Sequence, residues 1–255
     1  MLQEFFPASS VRHWELESML VSRQHRIAFA HYPKTAGSSL QRWFIDSFPD
    51  AVLLRPKNPH LCVADSLKKL QRWKEIKHIV RLIHRSTPFV SPHAYDPPWP
   101  MSLRVVGVLR EPFEMLVSLY EYWRREVFPI EPTDPFILLA RHGEFRDFLA
   151  AALIGKRMPT YEEFFNVGGP LWPHTQLLDF DSLQAGIDSF CHGIGVPNSK
   201  PLPAINQNPT GVGDIQRYRD EAGPLVAEVH QRFRWYYEEG IHLTIRTSQP
   251  LKVAA

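Results

Sequence analysis

Arg26-Ile27-Ala28-Phe29-Ala30-His31-Tyr32-Pro33-Lys34-Thr35-Ala36-Gly37-Ser38-Ser39-Leu40 is the stretch on which the fold turns. Arg26 to His31 is a short apolar run suited to a buried strand. From Ser38 to Phe48, the residues Leu40, Trp43, Phe44 and Phe48 recur at three- and four-residue spacing, which predicts a helix with one buried face and a start that Ser38 or Ser39 can cap. The unit is therefore strand, loop, helix. Where a strand of a parallel sheet gives way to a helix, backbone N–H groups and the helix dipole make a ready site for phosphate. The segment Pro33, Lys34, Thr35, Ala36, Gly37, Ser38, Ser39 has the residues such a site needs. Gly37 admits an anion close to the backbone, Thr35, Ser38 and Ser39 bring hydroxyls, and Lys34 brings a full charge. The pattern G-x-x-x-x-G-K-[ST] is absent, because the lysine precedes the glycine, and this argues against ATP or GTP hydrolysis.

Working outward, a second helix is predicted over Asp65 to Ile76, then a strand around His78 to Ile83 and a Pro- and His-rich loop from His84 to Pro100. The pattern then repeats. Leu103 to Leu109 has the β-branched content of a central strand, Pro112 suits the first turn of a helix, and Phe113, Leu116, Val117, Tyr120 and Val127 mark that helix's apolar stripe. Further pieces are a helix near Glu144 to Ile154, a strand at Gln176 to Phe180, a helix from Ser182 to Cys191 and a final amphipathic helix from Leu225 to Tyr237. Strands alternating with helices favour a parallel sheet covered on both faces.

The chain has 255 residues, 44% of them hydrophobic, enough for one α/β domain with a core about 26–240 and an N-terminal extension at 1–25. Its 29 basic residues against 27 acidic ones give no broad basic surface, so nucleic acid is not an expected partner. Cys62 and Cys191 form no C-x-x-C pair. Met1 to Arg26 has neither a long apolar run nor the layout of a signal peptide, so the expectation is a soluble cytoplasmic protein without membrane association; a lumenal domain freed of its anchor is the alternative. Oligomeric state is not legible.

His31 to Leu40 resembles the 5′-phosphosulfate loop of sulfotransferases that use 3′-phosphoadenosine-5′-phosphosulfate (PAPS), closest to the carbohydrate branch typified by uronosyl 2-O-sulfotransferases. That family's second signature is a strand ending in Arg, followed by Pro and by a Ser eight residues after the Arg; Arg110, Pro112 and Ser118 stand at those places. The resemblance implies a three-layer αβα fold with a central parallel sheet, P-loop-like in form. It implies O-sulfotransfer to an acceptor hydroxyl on a carbohydrate, with 3′,5′-ADP as product and no metal. Lys34 would contact the bridging oxygen, and Arg110 with Ser118 would hold the 3′-phosphate. An Arg at a strand end independently presents a planar fork to phosphate, although an ion pair with Glu111 or Glu114 is a competing use of it.

The family's base is a histidine in a Gly-His motif, and His93 in Ser91-Pro92-His93 stands at the corresponding place, with Pro92 where Gly is usual. His84 and His31 are further candidates, His31 being better suited to packing beside the loop. Glu111 or Asp96 would need a raised pKa to serve. The segment Pro203 to Pro209 resembles a late loop near the nucleotide; Asn206 there is read as a turn residue or as a ligand contact. Trp99, Trp123 and Trp172 are read as packing or as a sugar-stacking wall. Two other functions remain in view: a kinase-like phosphotransferase using ATP and magnesium, and a nucleotide- or glycan-binding module without catalysis.

Overall fold

The computed structural model describes residues 19–53, 62–68, 70, 103–126, 132–155, 158–172, 174–196, 200–205 and 214–247. Five strands form one sheet: β1 (Leu20–Ser22), β2 (Ile27–Phe29), β3 (Val52–Leu53), β4 (Arg104–Leu109) and β5 (Thr175–Asp179), in the order β3-β1-β2-β4-β5. β2, β4 and β5 run parallel, as expected, and helices fill the connections between them. β1 pairs antiparallel with both β2 and β3, so the sheet is mixed and the expectation of a wholly parallel one is corrected. The reason is chain length. Residues 23–26 join β1 to β2, and so short a link can only reverse the chain, whereas a parallel neighbour needs a crossover. β1 also falls inside the span assigned to an N-terminal extension.

The strands alternate between two cores. Ile27, Phe29, Val106, Val108 and Leu178 face helix α1 (Gly37–Ser47) through Leu40, Trp43 and Phe44, with Phe48 just beyond its end. Ala28, Ala30, Val105, Leu109 and Leu177 face the opposite side, where α2 (Pro112–Arg125), α3 (Pro135–His142) and α4 (Phe145–Ile154) pack. Helices on both faces of a twisted sheet give an α/β protein compatible with three αβα layers. Phe113, Leu116, Val117 and Tyr120 of the predicted stripe are buried, while Val127 lies outside the described residues. Gly107 in the middle of β4 is required by close approach: a Cβ there would meet the Phe165 ring at 2.3 Å.

The remaining helices are α5 (Tyr161–Phe165), α6 (Leu183–Gly193), α7 (Ile215–Ala222), α8 (Leu225–Arg232) and α9 (Ile241–Thr247), with a π-helical segment at Tyr236–Gly240. The single final helix expected over Leu225 to Tyr237 is thus broken near Phe233. Helix is present at residues 63–68, starting two residues before the predicted second helix and overlapping its first turn, whereas the rest of that prediction beyond residue 70 and the strand expected at His78 to Ile83 lie outside the described residues. No described helix is long and apolar enough to cross a membrane.

Candidate functional site

Parallel pairing of β2 with β4 sends both strands out of the sheet at the same edge, with Phe29 opposite Val106 and Ala30 still bonded to the Val106 carbonyl at 2.8 Å. The loop Pro33 to Ala36 follows one strand and Arg110 follows the other. The two sequence signatures therefore meet: Arg110 Nη1 donates to the Lys34 carbonyl oxygen at 3.3 Å, across 76 residues of chain.

The loop backbone is bent in an unusual way. Lys34 (φ 60°) and Ala36 (φ 61°) both lie in the left-handed region, and Thr35 between them does not. Such alternation turns successive N–H groups toward one concavity, the geometry that receives anions. Left-handed conformation costs a non-glycine residue on the order of 1 kcal/mol, so the surroundings must enforce it. Thr35 helps to do so by donating its hydroxyl to the Tyr32 carbonyl at 2.8 Å. Ala36 is the N-cap residue of α1 and supplies no capping side chain, so the start of the helix is not closed by one. The cap expected from Ser38 or Ser39 is replaced by alanine because the helix begins at Gly37.

Thr35 and Ser39 consequently face inward. The Ser39 hydroxyl accepts from Ile205 N at 3.1 Å and lies 3.4 Å from Ile205 O, tying residues 200–205 to the first turn of α1. This places the described part of the late segment beside the loop; Asn206 is outside the described residues, as are His93, His84, Asp96 and Trp99. Ser38 is half-buried on the first turn.

His31 packs against Gly37 and does not reach outward. A Cβ on residue 37 would fall 1.5 Å from His31 Nε2, so glycine is needed there for the imidazole to fit. The ring also stacks on Phe29 with centroids 5.9 Å apart. Burial, reinforced by the Lys34 charge, lowers the His31 pKa to about 4. The unfolded chain takes up this proton near pH 6.5 while the folded one does not until about pH 4, so stability falls as pH drops through that window. The loss attributable to His31 is on the order of 3 kcal/mol. Denaturant unfolding at pH 7 and pH 4 is expected to show a correspondingly smaller drop for His31→Asn than for the parent.

Lys34 is half-buried, and desolvation, aided by Arg110, lowers its pKa to about 8. Its ammonium stands 4.0 Å from the centroid of the Tyr122 ring. Ser118 precedes Tyr122 by one turn of α2, which puts it on the helix face nearest Lys34.

The Arg110 side chain is only 9% exposed and stacks on Phe180 at 4.3 Å. Glu114 lies 3.9 Å from Nη2, longer than a hydrogen bond, and the buried Nε has no hydrogen-bond partner. The guanidinium thus keeps donor capacity for a further acceptor. Glu111 is otherwise engaged: it caps α2 by accepting from Glu114 N at 2.8 Å and takes a bond from the Tyr237 hydroxyl at 2.6 Å. These bonds suit a structural carboxylate at the helix start.

Sequence reading missed the residue that fixes Arg110. The Tyr161 hydroxyl donates to Arg110 O at 2.8 Å and accepts from Arg110 N at 3.2 Å. Tyr161 also packs on Tyr32, ring centroids 4.4 Å apart, and Tyr32 immediately precedes the loop. One buried aromatic pair therefore sets both strand ends. Its local signal was the capping box formed by Thr160 and Glu163, which announces a helix at Tyr161.

Of the tryptophans, Trp123 is buried against Phe136 and Phe148, a packing role. Trp172 bonds to the Leu103 carbonyl at 2.8 Å, at the start of β4 and so about 20 Å from the edge where Arg110 sits. It therefore cannot line this site. The comparisons place no relative beside the geometry: no family model, curated protein or solved structure matches the chain.

Proposed function

We propose that this protein is a PAPS-dependent O-sulfotransferase, with a P-loop-like sulfotransferase fold and a carbohydrate hydroxyl as the acceptor class. The observation that carries the reading is the meeting of Arg110 with the Lys34 carbonyl, which brings a strand-end guanidinium to the mouth of a left-handed loop and an uncapped helix start. The resemblance of both segments to sulfotransferase signatures supplies the ligand that such a pair would grip. The unpartnered Arg110 Nε is the fit test for a phosphate: a buried donor without an acceptor is costly, and an anion would satisfy it.

In this reading the donor contributes the activated sulfuryl group, and the residues do the rest. Loop N–H groups from Lys34 to Ser39 bind the 5′ end, while Arg110 and Ser118 hold the 3′-phosphate. The acceptor oxygen forms a bond to sulfur as the bond from sulfur to the 5′-phosphate oxygen breaks, and the acceptor proton passes to His93. Lys34 meets the charge that develops on the departing phosphate oxygen. No step needs a metal.

The test is a thermal-shift comparison. 3′,5′-ADP without metal is expected to raise the melting temperature, and ATP with magnesium to raise it little; the reverse ranking would favour the kinase-like alternative. The ADP effect should weaken between pH 7 and pH 9. Lys34 is charged below about pH 8, and above that pH binding must first return a proton to it. Transfer of labelled sulfate from PAPS to a panel of glycans, alcohols and phenols then separates an enzyme from a binding module.

A further inference from the structure

We propose that Tyr122 is a positioning residue for Lys34, holding the ammonium against its ring face at the mouth of the loop where an incoming anion meets it. The inference deepens the sulfotransferase reading by naming what aims its central cation. The ammonium forms no ion pair among the described residues; what it touches is the Tyr122 ring, 4.0 Å from the centroid and within the range where a cation is drawn to the negative face of an aromatic.

The surrounding charges explain why a holder is needed. Arg110 at the end of β4 and Arg125 at the end of α2 both repel the Lys34 charge, and Glu126 attracts it. His31, just beyond β2, is neutral above about pH 4 and adds no further repulsion. A long flexible side chain facing two guanidinium groups and one carboxylate would turn toward solvent or toward Glu126 unless something neutral and polarisable retained it. Tyr122 fits that description. Burial, with the charge of nearby Glu126, pushes its phenol up to about 12, so the ring stays neutral at any working pH. A ring holds the cation weakly enough to release it to an anion, whereas a carboxylate in the same place would compete with the donor.

The test replaces Tyr122 by phenylalanine and then by phenylalanine carrying one, two and three ring fluorines, which drain the negative face while nearly keeping the shape. The Lys34 pKa is followed in ligand-free protein through the side-chain Cε and Nζ resonances, assigned with Lys34→Gln. Tyr122→Phe is expected to keep the parent value closely. The pKa should then fall stepwise with fluorine number, by roughly half a pKa unit over the series, and Tyr122→Leu should match the most fluorinated ring. A pKa that does not respond to fluorination overturns the proposal, and the fluorinated series decides it even where Tyr122→Leu fails to fold. Because this readout needs no ligand, it is independent of the functional reading: failure of 3′,5′-ADP to bind the parent protein would count against sulfotransfer and leave the Lys34 result intact.

Discussion

On the proposed sulfotransferase reading, Lys34→Ala is expected to lower sulfuryl transfer from PAPS by about a hundredfold or more while leaving the unfolding transition nearly where it was. The two halves of this expectation come from different features. The catalytic half follows from placement: Lys34 stands on the left-handed turn between β2 and α1, and its charge lies in a partly desolvated setting where electrostatic stabilisation of a leaving oxygen is strong. The structural half follows from the absence of an ion pair among the described residues, so that truncation removes a cation crowded by Arg110 and leaves no carboxylate stranded. Steady-state turnover with labelled PAPS and a melting curve on the same sample check both. A variant with turnover equal to the parent's would remove Lys34 from the chemistry.

Gly37→Ala should be the most damaging small substitution in the loop. The added methyl would sit 1.5 Å from His31 Nε2, and the imidazole has nowhere to retreat because it is 9% exposed and stacked on Phe29. Overpacking of this kind typically costs 1–3 kcal/mol, here with the further effect of displacing the first turn of α1, so binding of 3′,5′-ADP should fall more than stability does. The decisive comparison is the double variant His31→Ala with Gly37→Ala. If the ring is the obstacle, removing it restores part of the loss and the two substitutions are strongly non-additive. Simple additivity in denaturant unfolding would mean that the glycine is needed for another reason.

Much of the site was legible because its signals are local. The apolar run into Pro33, the glycine at the head of an amphipathic segment, and an Arg-x-Pro sequence at the end of a β-branched run each fix backbone geometry within a few residues. The helix from Pro112 to Arg125 follows for the same reason, with Glu111 as its cap. What escaped depends on partners far away in sequence. Tyr161 holds Arg110 from 51 residues downstream, and nothing near Tyr161 names its partner. The hydroxyls of Thr35 and Ser39 look like donors for a ligand until the fold shows them bonded to Tyr32 and Ile205. β1 and β3, three and two residues long, are too short for any periodicity to register, and only their antiparallel pairing reveals that the sheet extends past β2. Trp172 could be removed from the sugar wall only once it was seen at the other end of β4.

The double bond between the Tyr161 hydroxyl and the main chain of Arg110 has a dynamic consequence. Both peptide groups of that residue are closed by a phenol that is itself sealed in the core, so the amide can exchange its hydrogen only when the packing around Tyr32 and Tyr161 opens as a unit. The guanidinium is therefore presented from a main-chain pivot that stays formed, and a ligand arriving there would find its anchor already in place instead of having to order it.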